Sequence, residues 1–118
     1  MYIQERIREE IARAGRYGHS FAIVTFEAIP ASDGIPLRTH VDQAASIVEA
    51  SVRPSDVVAR AFDDIVVLLL VETDAAGAHD ALFRVRSRLQ GHGRWKITAY
   101  NFPTDASSIE SLSVLSVA

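Results

Sequence analysis

Arg53 and Asp56 stand three residues apart where an apolar helical pattern ends, and Asp63-Asp64 follow at the next polar break. An arginine beside a carboxylate brings a fork of donors and a pair of acceptors. At an exposed helix end the two can close on each other as a salt bridge worth at most about 1 kcal/mol, or they can turn toward a polar ligand. Glu27 and Asp64 are the carboxylates that could share a metal. As a strand end and a hairpin tip they serve equally well as solvated residues, and Asp63-Asp64 favours a tight turn in any case, so no metal site is expected. His19, His40, His79 and His92 are scattered without zinc-ligand spacing and read as surface residues. With 0 cysteines there is no disulfide, thiolate metal site or thiol catalysis. No Gly-x-Ser-x-Gly and no phosphate-cradling glycine loop occurs.

The elements that must position these groups follow from periodicity. Ile3, Ile7, Ile11 and Ala14 make an amphipathic helix, with Gly15 and Gly18 loosening its end. Phe21 to Phe26 reads as a buried strand, and Pro30 to Pro36 as a loop. Val41, Ala44, Ala45, Val48 and Val52 form a second helical stripe, broken at Pro54-Ser55. Val57–Ala61 and Ile65–Val71 flank Phe62-Asp63-Asp64 in the pattern of a hairpin. Thr73 or Asp74 can cap a third helix whose buried face is Ala78, Ala81, Leu82, Val85 and Leu89, and Gly91-His92-Gly93 stops it. Trp95 to Phe102 is a last strand, where Trp95 and Tyr100 read as packing residues, and Ser107 to Leu115 a short terminal helix.

After the first helix the order is strand, helix, strand, strand, helix, strand. The fold class expected is therefore α+β, a ferredoxin-like antiparallel sheet of four strands with both crossover helices on one face. The 118 residues read as one domain, 1–118, and a hydrophobic share of 48% is enough for a core. The net charge of -3, with acids and bases interspersed, argues against duplex nucleic acid as a partner. The longest apolar run, Ile65 to Val71, is too short to span a bilayer, and Met1 to Glu10 lacks a signal-peptide core. A cytoplasmic location without membrane insertion is expected.

Several of these pieces, in order and with matched spacing, resemble the GGDEF domains, the bacterial diguanylate cyclases of nucleotide-cyclase type. Glu10-Ile11-Ala12-Arg13-Ala14 and Arg16-Tyr17-Gly18-His19 look like that family's first helix and the turn into its first strand. Val52-Arg53-Pro54-Ser55-Asp56-Val57-Val58-Ala59-Arg60 looks like its helix end and second strand. Leu69-Leu70-Val71-Glu72-Thr73-Asp74 and Phe102-Pro103-Thr104-Asp105-Ala106 match later segments. In the family an Arg-x-x-Asp product-binding motif precedes the Gly-Gly-Asp-Glu-Phe hairpin, and Arg53 and Asp56 keep that spacing.

The resemblance implies a ligand and a lost reaction. It casts Arg53 as a donor to guanine or phosphate of cyclic di-GMP and Asp56 as acceptor for the guanine edge. Arg84, on the following helix, matches a further family arginine. Family chemistry joins two GTP molecules with the help of two metals held by clustered carboxylates. Here Glu27 and Asp64 align with two of those carboxylates, but Ile65 replaces the hairpin glutamate and Phe62-Asp63 replace the paired glycines. The guanine-reading stretch shortens to Ala31 through Leu37, with Arg38 near its aspartate position. The chain is thus expected to be no enzyme and to need no cofactor, but to act as a regulatory cyclic di-GMP receptor, with a homodimer or a protein as partner. The alternative is an interaction or dimerisation module that binds no nucleotide. An exposed Arg53 would contribute little to folding.

Overall fold

The computed structural model describes residues 3–113, so Tyr2 and Leu115 lie outside the described residues. The chain runs α1 (Ile3–Tyr17), β1 (Phe21–Ile29), α2 (Leu37–Ser51), β2 (Val57–Ala61), β3 (Ile65–Leu70), α3 (Ala75–Leu89), β4 (Arg94–Phe102) and α4 (Ala106–Ser113). The four strands form one sheet in the order β2-β3-β1-β4, antiparallel throughout. This is the α+β, ferredoxin-like arrangement that the element order predicts.

The sheet is buried on both faces, which is why β1 is apolar at successive positions instead of alternating. Ala22, Val24 and Phe26 of β1 point toward α2 and α3, where Val41, Val48, Ala81 and Val85 complete one core. Phe21 and Ile23 point the other way and pack with Ile3, Ile7 and Ile109 of α1 and α4. Phe21 also stacks on its cross-strand partner Phe102, ring centroids 4.8 Å apart.

Helix ends set the loops that matter. Gly15 does not end α1. The helix stops at Gly18, whose φ of 70° is open to glycine at no steric cost, while the His19 amide donates back to the Ala14 carbonyl at 3.1 Å. At α3 the cap is Asp74, which accepts from the Gly77 amide at 2.8 Å. At the C-terminus of α2 the chain turns extended at Val52 ahead of Pro54. The loose carbonyls there are met from α3, by Arg84 Nε on Ser51 O at 3.2 Å and Arg88 Nη1 on Ala50 O at 3.3 Å.

Two of the buried polar residues form ion-pair contacts, and one of them runs against expectation. His40 is no surface residue. It lies on the inner side of the first turn of α2, 8% exposed, and its Nε2 donates to Asp33 Oδ2 at 2.8 Å. Asp33 Oδ1 accepts from the Ile35 amide at 3.0 Å, so this carboxylate ties the short loop between β1 and α2 to the helix. The Ile35 hydrogen bond first, and His40 after it, hold the Asp33 carboxyl below its ordinary value of 3.8. A lowered folded-state value means that the tie is present above the ordinary carboxylate range and is lost as pH falls through the folded value. We therefore expect the Ile35 amide resonance to titrate below pH 3.8 in the native chain, and not in Asp33→Asn. A flat native profile would show that the tie does not form. Glu10 is the other, 1% exposed and paired with Arg6 at 2.8 Å and Arg13 at 3.7 Å. The Arg6–Glu10 spacing of one helical turn is the sequence signal for it.

Candidate functional site

The three residues singled out on the sequence, Arg53, Asp56 and Arg84, line one pocket of about 540 Å³. It opens at the end of the sheet where β1 begins and β3 finishes. Arg53 and Asp56 come from the α2–β2 turn, Arg84 from the second half of α3, and His19, Glu72 and Thr73 from the two loops between. The Thr73 amide donates to Ser20 O at 2.9 Å and so joins those two loops.

Arg53 is built into the site. Its Nε and Nη2 grip Asp56 at 3.3 and 3.1 Å, and Nη2 also donates to Val71 O at 2.7 Å and Thr73 Oγ1 at 2.8 Å. The side chain is still 53% exposed, and Nη1 takes no partner among the described residues. Set against the expectation that Arg53 matters little to folding, the guanidinium joins the end of α2 to the strand leading into α3. Arg84 reaches the same pocket from an exposed helix position, its Nε held by Ser51 O.

Asp56 behaves otherwise than expected. Its side chain is 1% exposed. Oδ2 accepts from the Arg53 amide at 3.0 Å, and Oδ1 from the Val71 amide at 3.2 Å, besides the guanidinium. An acceptor so occupied has no lone pair turned to a guanine edge. Its role in this geometry is to hold Arg53 in place. Thr73, His19 and Glu72 were missed on the sequence. No local pattern marks them, since only the pairing of β1 with β3 brings them to the pocket that Arg53 lines.

The residues aligned with the family's catalytic centre lie at the other end of the sheet. Glu27 sits on β1 with Ile65 beside it on β3 and Lys96 on β4. Ile65 belongs to the apolar face under α1, lining a small cleft with Ile3, Ile7, Phe62 and Leu112. Phe62 takes a φ of 57°, a left-handed turn that suits a glycine and costs a phenylalanine roughly 1 kcal/mol. Arg38 is exposed near the hairpin, and Arg60 pairs with Asp42. Among the described residues no three histidine or acidic side chains cluster as metal ligands. An apolar residue and a lysine beside Glu27 do not fit the two metals of the cyclase reaction.

No family model matches the chain, and no curated protein matches it significantly. Solved structures do match. A DGC protein from Thermotoga maritima superposes with a TM-score of 0.69 at 17% identity, over 95% of this chain and 94% of that one. The GGDEF domain of TpbB (YfiN) from Pseudomonas aeruginosa gives 0.73 at 18% identity, over 93% and 75%. The diguanylate cyclase SiaD from the same organism, solved with its activator SiaC, gives 0.62 at 20% identity, over 94% of this chain and 51% of that one. Among the described residues no helix is long and apolar enough to cross a membrane. In its fold this chain is a GGDEF-like domain.

Proposed function

We propose that the chain is a catalytically silent GGDEF-like domain that binds cyclic di-GMP in the Arg53–Arg84 pocket and acts as a regulatory receptor. The observation that carries this reading is the convergence of Arg53 and Arg84 from separate elements on one open pocket, with Asp56 holding Arg53 ready. Two arginines in reach of one ligand suit a cyclic dinucleotide with two phosphodiesters, since guanidinium forks meet phosphate and the guanine edge alike. Silence rests on Ile65 and Phe62, where the chemistry needs a carboxylate and a glycine.

The second reading is a docking or dimerisation module without nucleotide. It is favoured by Phe83, 71% exposed on α3, since aromatic rings are enriched at protein–protein interfaces. One titration separates the two. Calorimetry with cyclic di-GMP should show micromolar or tighter binding, and incubation with GTP and Mg2+ or Mn2+ should give no cyclic di-GMP by chromatography. A flat titration moves the chain to the second reading, and product formation lost on removal of Glu27 and Asp64 refutes silence.

A further inference from the structure

His19 lines the same pocket as Arg84, from the turn between α1 and β1. Its Nδ1 is buried without a hydrogen bond, 3.4 Å from Glu72 Oε1. That contact is an ion pair when the imidazole is protonated and a misaligned polar approach when it is neutral. Arg13 Nη2 reaches the same oxygen at 3.1 Å. Glu72 meanwhile holds a left-handed backbone, φ 47°, which a non-glycine residue adopts at a cost of order 1–3 kcal/mol. The strained turn thus sets a carboxylate at the rim of a pocket whose exposed cations invite an anion.

We propose that His19 and Glu72 form a protonation-dependent contact that sets the pocket's affinity for phosphate-bearing ligands. The inference rests on the ligand reading above and adds its control. The groups around His19 are Arg13 and Tyr17 on α1, with Glu10 buried behind Arg13. Glu72 and Asp74 come from the loop before α3, Arg53 from the end of α2, and Arg84 from α3. Asp74 is engaged as the helix cap and Asp56 by Arg53, so Glu72 is the carboxylate left to oppose a phosphate. With His19 neutral, Arg13 alone offsets it. With His19 protonated, a second cation faces Glu72 and the pocket gains one positive charge.

The experiment is calorimetry with cyclic di-GMP, whose phosphodiesters do not titrate in this range, between about pH 5.5 and 8, where histidines as a class change charge. Native chain, His19→Gln and Glu72→Gln are compared, each checked for a cooperative melt. The native affinity should fall about fivefold as pH rises, the worth of one partly exposed charge pair. His19→Gln should be weak and flat across the range, and Glu72→Gln should bind more tightly than native at the alkaline end. If His19→Gln does not fold, the alkaline gain of Glu72→Gln decides. In parallel, sulfate is titrated at the acid end against the His19 ring resonances. A native-like pH profile in His19→Gln, or no gain in Glu72→Gln, overturns the proposal while leaving the receptor reading in place. Sulfate shifts at His19 without any cyclic di-GMP heat would keep the anion contact and remove the nucleotide. Silence in both titrations removes both.

Discussion

Replacing Asp56 with alanine should lower the melting temperature by roughly 10 °C, corresponding to a loss of about 3 kcal/mol for a domain of this size. The side chain is 1% exposed and accepts from two backbone amides and from the Arg53 guanidinium. Deleting it strands the buried Val71 amide and frees the arginine, and hydrogen bonds to a charged group are worth about 1.5–3 kcal/mol each before relaxation and shared partners reduce the sum. Asp56→Asn keeps the shape but turns donors toward donors, so it should fall between native and alanine. Both variants should also weaken cyclic di-GMP, because Arg53 is no longer held. Thermal melts and calorimetry on the same samples give the answer. An unchanged melt with lost binding would return Asp56 to the role of a direct ligand reader.

Arg53→Ala should reduce cyclic di-GMP affinity by roughly tenfold to a hundredfold, the loss of one or two charge-assisted contacts. It should also cost about 1–2 kcal/mol of stability through its bonds to Val71 O and Thr73, a sum discounted because the guanidinium is half exposed. Binding is therefore measured well below the melting temperature of the variant. Arg53→Lys discriminates further. A lysine keeps the charge but cannot grip Asp56 with a fork and reach Val71 O as well, so it should recover part of the affinity and little of the stability. Arg84→Ala should have a smaller effect on affinity, or act only in a dimer, and should also loosen the end of α2, whose Ser51 carbonyl it meets. Equal affinity in Arg53→Ala and native chain would detach the pocket from the ligand and favour docking through the face around Phe83.

Much of the scaffold was legible because its signals are local. The stripe Val41, Ala44 and Val48 and the stripe Ala78, Ala81 and Val85 each follow helical spacing, and both helices pack on one face of the sheet. The apolar run Phe21–Phe26 is a strand covered on both sides, although β1 extends on to Ile29. Asp74 is the cap because it stands immediately before the helix with its carboxylate on the Gly77 amide. Gly15 falls in the last turn of α1, where a glycine costs about 1 kcal/mol but does not end the helix. The turn needs a positive φ only at Gly18.

By itself the sequence determined the order and period of the elements, and the spacing of Arg53 and Asp56 set both on one turn. Periodicity and short-range spacing are properties of the chain alone. What the tertiary structure decided was the job of each side chain. Arg53 is a staple as well as a donor because β3 ends within reach of its guanidinium. Asp56 is buried because that same strand brings the Val71 amide to it. His40 is inside because the loop carrying Asp33 folds back over α2. His19 and Glu72 become neighbours although 53 positions separate them, since the antiparallel pairing of β1 with β3 sets the start of one strand beside the end of the other. Burial and long-range pairing depend on which surfaces meet, and no local pattern of residues carries that information.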